Sequence, residues 1–134
     1  MARVLRLDCT RLMTVVRQTL GRQGERFAEQ LLRRRGCVTL ARRYRTRFGE
    51  IDLIARDRDA LVFVEVKTRR TRRFGGPLAA VGFRKQQRLV KMARSYLSRW
   101  PGPLPPCRFD VVGVILRDAE PPSMEIVADA FRVV

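Results

Sequence analysis

Apolar residues recur at helical spacing through the first third of the chain, from about Thr14 to Arg35, and this spacing predicts an amphipathic helix. The apolar positions are Leu20, Phe27, Ala28, Leu31 and Leu32. Gly36 follows at the position where helices commonly end. Residues 1–13 are predicted to form a basic N-terminal tail, and residues 14–134 a single domain.

A second helix is predicted from Lys85 to Trp100, where an apolar stripe alternates with basic residues. The stripe consists of Leu89, Met92, Ala93, Tyr96 and Leu97. Three short segments are apolar and rich enough in β-branched residues to predict strands. They are Cys37–Ala41, Arg108–Leu116 and Met124–Val127. The stretch Thr68–Phe83 is the most loop-like part of the chain.

The segment Gly49–Lys67 predicts a β-hairpin. Its first half, Glu50–Arg56, alternates apolar and polar residues, whereas Leu61–Lys67 is apolar apart from one glutamate and one lysine. Residues 57–60 between them have the composition of a turn. If the loop consists of residues 58 and 59, position 57 pairs with position 60 and the register of the whole hairpin is fixed.

This register predicts a charged patch on one face of the hairpin. That face would carry Glu50, Asp52, Glu65 and Lys67, and the other face Ile51, Leu53, Val64 and Val66. Asp52 would lie opposite Glu65, and Glu50 opposite Lys67. Carboxylates packed so closely either hold protons or surround a cation, and hard oxygen ligands favour Mg²⁺ or Mn²⁺. A solvated sheet face with an ordinary ion pair is the alternative for any single hairpin.

Composition narrows the choice of partner. The chain has 134 residues and a formal net charge of +16, which favours a polyanion, nucleic acid rather than an anionic membrane. It has no histidine, so His-based acid–base catalysis and His-ligated zinc are excluded. Cys9, Cys37 and Cys107 are scattered, which fits a reducing cytoplasm better than a disulfide framework. No apolar run approaches the ~20 residues of a membrane span.

Two basic runs are candidate contacts to nucleic acid. In the first, arginines alternate with Tyr44 and Phe48, a pattern suited to phosphate contact and base stacking but equally typical of a solvated edge strand. The second run directly follows the hairpin. The candidate residues are Arg43, Arg45, Arg47, Arg69, Arg70, Arg72 and Arg73.

Asp52 and the triplet Glu65-Val66-Lys67 resemble the signature of PD-(D/E)XK nucleases, in which an acid closes one strand and acid-x-Lys follows on the next. From Gly21 to about Val112, the chain is similar to the YraN family of uncharacterised bacterial proteins. The matching motifs include Gly24-Glu25, GEIDLIA, FVEVK, Phe74-Gly75, Pro77, Lys85 and Arg108–Val112. The chain departs from the family at Arg43, where Asn is usual, and at Ala79, where Glu is common.

The order of the predicted elements, a helix, three strands, a second helix and two strands, implies a mixed sheet with helices packed on it. The resemblance implies the same fold, an α/β restriction-endonuclease-like core with a mixed sheet of about five strands flanked by helices. It implies that Mg²⁺ or Mn²⁺ is bound by Asp52, Glu65, the Val66 carbonyl and Glu25 from the first helix. Lys67 would then position the attacking water or stabilise charge on the phosphate. The secondary candidates are Glu50 and Lys85.

The expected function is that of a cytoplasmic, metal-dependent nuclease acting on DNA, and fold-level analogy points to branched DNA. Two alternatives stay open. One is a nuclease-like scaffold that binds nucleic acid without cutting it, and the other is a basic interaction protein whose partner is ribosomal RNA. A homodimer is also left open.

Overall fold

A five-stranded mixed β-sheet forms the centre of the protein in a computed structural model that describes residues 9–71 and 76–132. Two helices flank the sheet, which is the α/β class predicted from the sequence. The elements are α1 (Cys9–Arg34), β1 (Val38–Thr46), β2 (Gly49–Asp57), β3 (Ala60–Arg69), α2 (Phe83–Leu97), β4 (Cys107–Ile115) and β5 (Ser123–Phe131). A short 3-10 helix, Leu78–Ala80, precedes α2.

The strands lie in the order in which they occur in the chain, from β1 to β5. β1–β2, β2–β3 and β4–β5 are antiparallel, whereas β3 and β4 are parallel. Parallel neighbours need a crossover connection, and α2 supplies it. The chain therefore returns along one face of the sheet, so that the start of α2 lies near the end of β3.

Each helix covers one face of the sheet with its own apolar core. The α1 side is built from Ala28 and Leu32 of the helix and from strand residues such as Val64 and Val112. The α2 side contains Leu89, Met92, Ala93, Ile51, Ile54, Phe63, Phe109 and Val111. Tyr44 and Tyr96 meet edge to face, with ring centroids 5.1 Å apart, and join the first strand to this second core.

Several elements are longer than the sequence pattern predicts. α1 begins at Cys9 rather than Thr14, and residues 1–8 of the predicted tail lie outside the described residues. β1 extends to Thr46, which pairs with Gly49. β1 carries few apolar residues beyond Ala41, so pairing with β2 rather than its own composition sets its length. In the described part of the chain, no helix is long and apolar enough to cross a membrane.

The prediction that Ile51 and Leu53 share one apolar face of the hairpin is wrong. Ile51 and Ile54 both enter the core on the α2 side, whereas Leu53 packs on the α1 side. Alternation therefore breaks at Asp52. Arg43 lies between the residues paired with Ile51 and Leu53, and its φ of 46° places it in the left-handed region. This departure from regular strand geometry lies across from Asp52, the position at which strict period-2 alternation does not hold.

Candidate active site

The β2–β3 hairpin opens at the end that carries the predicted site. Its two-residue loop is confirmed, because Asp57 pairs with Ala60 and the register continues to Leu53 and Val64. No further Cα pair is formed between these two strands. Instead, Asp52 Oδ2 accepts a hydrogen bond of 2.8 Å from the Val66 N–H. A side chain thus replaces the strand-to-strand bond, and the site lies at the open end of the hairpin.

Glu65 is the most buried carboxylate of the site, with only 5% of the residue exposed. Its Oε1 atom lies 3.0 Å from Lys85 Nζ and 3.4 Å from Lys67 Nζ. Lys67 follows Glu65 by two residues on β3 and shares its side of the strand. Lys85 comes from the first turn of α2, which the crossover returns to this end of the sheet. Two ammonium groups therefore compensate one buried carboxylate.

The pKa of Asp52 is raised to about 7. Burial is the largest cause, and the negative charge of Glu65 is the next. The hydrogen bond from the Val66 N–H and the charge of Lys85 act in the opposite direction, but they do not outweigh these two effects. Asp52 and Glu65 are therefore close enough that ionising both is costly without a further positive charge.

Glu25 reaches the site from α1. It follows Gly24, which is buried against Thr68 of β3, the residue after Lys67. The Glu25 Oε2 atom lies 3.2 Å from Arg43 Nε. Burial raises the pKa of Glu25, and the charges of Glu50 and Glu65 raise it further, against the lowering effect of Arg43.

Glu50 does not take the predicted position opposite Lys67. β2 and β3 are no longer paired at that point, and Glu50 instead pairs with Arg45 of β1. Its Oε1 atom lies 3.0 Å from Arg45 Nη2, on an exposed part of the surface. Glu50 still contributes negative charge at Glu25, so it lies at the rim of the cluster.

The carboxylates of the site fit a divalent cation that is held by two side chains. Within residues 9–71 and 76–132, no three Asp, Glu or Cys side chains lie close enough together to ligate one ion. Asp52 and Glu65 form a pair of hard oxygen donors, and Mg²⁺ is commonly held by one or two carboxylates with water completing its octahedron. A two-carboxylate site for Mg²⁺ or Mn²⁺ therefore fits, whereas a three-carboxylate site that includes Glu25 would need Glu25 to leave Arg43.

The predicted nucleic-acid contacts separate into different environments. Arg43 pairs with Glu25, and Arg45 pairs with Glu50. The positive charges of these two arginines are therefore partly neutralised by carboxylates of the site. Arg47 lies over the Phe48 ring, with its Cζ atom 4.8 Å from the centroid.

The second basic run continues from β3. Arg69 lines a cavity of about 120 Å³ together with Lys67, Thr71 and Gly113. Arg70 is exposed and lies 4.0 Å from Asp118. Arg72 and Arg73 lie outside the described residues. The described part of this run therefore begins at the end of β3, two residues after Lys67.

A second buried charge cluster was not predicted from the sequence. Asp110, which is 2% exposed, accepts hydrogen bonds from Arg108 Nε at 3.1 Å and from the Asp129 N–H at 2.9 Å. Arg108 also pairs with Asp57 at 3.0 Å. Arg108 and Asp110 are two residues apart in one strand, so their side chains lie on the same face. This spacing alone would have predicted that the two charges pair. The cluster ties β5 and the hairpin turn to β4, at the opposite end of the sheet from Lys67.

Fold and site together define a small, strongly basic α/β protein with a charged site at the open end of a hairpin. This site, here named the acid–lysine cluster, consists of Glu25, Asp52, Glu65, Lys67 and Lys85. The chain belongs to the uncharacterised protein family UPF0102, which matches residues 24–114 and so spans every residue of the cluster. This is the family that the sequence resemblance identified.

Relatives from this family match the chain over most of their own length. The UPF0102 protein of Symbiobacterium thermophilum is 54% identical over 95 residues, 71% of this chain and 80% of the relative. The one from Chlorobium phaeobacteroides is 47% identical over 106 residues, with 79% and 84% covered. A Pseudomonas aeruginosa relative is 44% identical over 115 residues, with 83% and 90% covered.

Proposed function

We propose that the protein is a divalent-metal-dependent nuclease that hydrolyses phosphodiester bonds in DNA. The observation that carries this proposal is the placement of Asp52, Glu65 and Lys67 together at the open end of the hairpin. A buried acid beside a second acid of raised pKa is costly to maintain, and such costs concentrate at functional sites. The net charge of +16 supplies the attraction to a polyanionic substrate.

Asp52 and Glu65 would hold Mg²⁺ or Mn²⁺, with the Val66 carbonyl as a third oxygen donor. When bound, the ion would polarise the scissile phosphate and lower the pKa of a water molecule. The protein's own contribution is a rigid frame. The Val66 N–H holds the Asp52 carboxylate by a hydrogen bond, and Lys85 of α2 holds the Glu65 carboxylate by an ion pair.

Lys67 is the group proposed to act on the reacting phosphate. Its ammonium lies close to Glu65, and its side chain is 29% exposed, so it can still reach a ligand. It would donate to a phosphate oxygen as negative charge develops there, or hold the attacking water. Lys85, which lies closer to Glu65 Oε1, is assigned to neutralising that carboxylate instead.

A non-catalytic nucleic-acid-binding module is the second candidate, and one observation favours it. Both lysines approach the same oxygen of Glu65, so the carboxylate is charge-compensated without a metal. A site balanced in this way is stable as a purely structural ion cluster. In that case the basic surface alone would carry the function.

Metal binding is the first test. Mg²⁺ or Mn²⁺ should raise the melting temperature, because a ligand that prefers the folded state stabilises it. The double variant Asp52→Asn, Glu65→Gln should lose that increase, whereas Asp118→Asn, which removes an exposed carboxylate elsewhere, should keep it. Calorimetric titration checks the result directly. Equal metal affinity in the double variant and the parent would place the site elsewhere.

Cleavage by Lys67 variants is the deciding test. The parent is incubated with duplex, branched and single-stranded DNA in Mg²⁺ or Mn²⁺, with EDTA as the blank. Lys67→Ala should lose about 10²–10³ in rate, the effect of removing one preorganised donor to the transition state. Lys67→Arg should be nearly as inactive, because a planar guanidinium does not replace a compact ammonium. DNA affinity should hardly change in either variant.

Two outcomes would overturn parts of this proposal. A folded, metal-loaded parent that cuts none of these substrates leaves the binding module as the function. A parent that cuts while Lys67→Ala cuts equally well is still a nuclease, but its lysine has been wrongly assigned.

A further inference from the structure

The outer face of α2 carries an exposed aromatic residue beside a row of cations. Phe83, the first residue of α2, is 72% exposed and takes no part in the apolar core beneath the helix. An isolated exposed apolar side chain is ordinary, but a large aromatic one set on a basic surface is informative. A ligand that covers it must suit both the ring and the cations.

Phe83 stands at one end of a groove of about 440 Å³ between α2 and the end of β5. The groove is lined by Phe83, Gln86, Gln87, Val90, Lys91, Arg94, Phe131 and Arg132. From Phe83 to Arg94 the helix advances about 16 Å, at roughly 1.5 Å per residue. The floor is therefore an elongated strip rather than a closed pocket.

A second groove lies on the other side of the same two cations. Lys91 and Arg94 also line this groove, together with Arg47, Phe48 and Ser95. Lys91 Nζ lies 5.7 Å from the centroid of the Phe48 ring, and Arg47 approaches the same ring at 4.8 Å. The two grooves thus form one continuous surface, here named the α2 surface, with aromatic rings on both sides of a basic ridge.

Charge determines which partner fits the α2 surface. Among the described residues that line the two grooves there is no carboxylate, and residues 69–100 contain no acid at all. Arg132, at the β5 end of the first groove, pairs with Asp129 at 2.8 Å. A protein partner would need matching acids and an apolar patch. A single nucleic-acid strand offers phosphates and unpaired bases together, and bases stack on aromatic rings with little regard to sequence.

We infer that the α2 surface binds single-stranded nucleic acid, with a base stacked on Phe83 and phosphates on Lys91 and Arg94. The inference rests on the proposed function in taking DNA as the ligand, and it deepens it. Lys85, two residues after Phe83, contacts Glu65 of the site, so the strand would begin beside the acid–lysine cluster. The substrate would therefore carry an unpaired segment next to the bond that is cut.

Binding is measured in EDTA, so that no cleavage occurs, by fluorescence anisotropy with a labelled oligothymidine and a labelled duplex. Phe83→Ala should weaken single-strand binding about 5- to 150-fold, the range that the loss of one stacked base spans, and leave duplex binding unchanged. Phe83→Trp should keep the single-strand affinity of the parent, because an indole ring also stacks on a base. Leu104→Ala, which removes another exposed apolar side chain that does not line the grooves, should change neither affinity.

The cations are tested by salt dependence. Lys91→Ala with Arg94→Ala should reduce the slope of log affinity against log salt by up to about 1.4, since each phosphate bound on a single strand contributes about 0.7. The matched control, Arg34→Ala with Arg35→Ala, removes the same charge from the end of α1 on the other face of the sheet. It should leave the slope nearly intact.

Three results would overturn the inference. The first is a Phe83→Ala variant whose single-strand affinity equals that of the parent, and the second is one whose duplex affinity falls equally. The third is a dimer of the parent in sedimentation that Phe83→Ala dissociates, which would make the α2 surface a contact between copies of the chain. Failure of the nuclease is separate, because a protein that cuts nothing but needs Phe83 for single-strand binding keeps the α2 surface.

Discussion

Neighbouring glutamates of α1 show how strongly local surroundings set the character of a residue. Glu29 bonds to Arg42 at 2.8 Å and to Thr39 at 2.7 Å, and these bonds lower its pKa. Arg33, one turn later in α1, also lies 3.7 Å from Glu29. Glu25, one turn earlier, has a raised pKa because burial and nearby carboxylates outweigh the charge of Arg43. One glutamate anchors the helix and the other belongs to the acid cluster.

Asp52 should destabilise the metal-free protein at neutral and alkaline pH. Its pKa is about 7 when folded, against the ordinary value of 3.8, so the folded state holds the proton more tightly. The free energy of unfolding should therefore fall as pH rises from about 4 to about 7. In EDTA, Asp52→Asn should melt higher than the parent at pH ~8, and this advantage should shrink towards pH ~5 as the proton returns.

Scanning calorimetry across this pH range measures the effect. Asp118→Asn is the control, because the Asp118 side chain is 98% exposed. A constant difference between Asp52→Asn and the parent at every pH would show that Asp52 does not titrate in this range.

At the scale of elements, the hairpin was predictable and the placement of α1 was not. Turn composition predicted a turn within residues 57–60, and the condition of a two-residue loop then gave the pairs from Asp57/Ala60 to Leu53/Val64, which the structure confirms. Beyond Leu53, the Asp52 side chain accepts the Val66 N–H in place of a backbone carbonyl, and the sequence pattern does not reveal this contact. Contacts from α1, such as Glu25 to Arg43, join residues whose proximity no periodicity reveals.

Gly24→Ala should disturb the packing of α1 on β3. A Cβ at this position would lie only 2.8 Å from Thr68 Cβ, so the helix or the strand must move. The expected decrease in stability is about 1–3 kcal/mol, as for other overpacked sites, reduced by the better helix propensity of alanine. Gly21→Ala is a matched control in the same helix, because a Cβ there meets nothing within 4 Å.

Chemical unfolding separates these two variants. Gly21→Ala should gain about 0.5–1 kcal/mol from helix propensity alone, whereas Gly24→Ala should be less stable than the parent. Equal gains in both would mean that α1 does not approach Thr68 so closely. The site should also suffer in Gly24→Ala, because Glu25 moves with the helix.

Over the whole molecule, the pairing of arginines with acids was harder to predict than the architecture. Arginine accounts for 26 of the 29 basic residues, but three of the seven predicted nucleic-acid contacts, Arg43, Arg45 and Arg70, already lie within ion-pair distance of an acid. The sequence does not distinguish a paired arginine from a free one, because the pairing acid comes from another element. The α/β architecture followed from the order of helices and strands, while the lengths of β1 and β5 followed from their partners.

The basic run that starts at Arg69, the last residue of β3, should contribute affinity for nucleic acid without taking part in the chemistry. Replacing Arg69, Arg70, Arg72 and Arg73 with alanine should weaken duplex binding and flatten its salt dependence, by up to about 0.9 in slope for each phosphate that is no longer bound. A control in which Arg34, Arg35, Arg99 and Arg117 are replaced has the same net charge. Anisotropy titrations at several salt concentrations compare the two. Equal slopes would make net charge alone responsible.

The scarcity of lysine has a practical consequence for covalent chemistry. Only three lysines occur in the chain, and two of them, Lys67 and Lys85, meet at one oxygen of Glu65. The third, Lys91, lies beside the Phe48 ring. Reagents that acylate or methylate amines leave guanidinium groups untouched, so apart from the terminal amine they would mark only these surfaces. Protection of each lysine from such a reagent would therefore report occupancy, lysine by lysine.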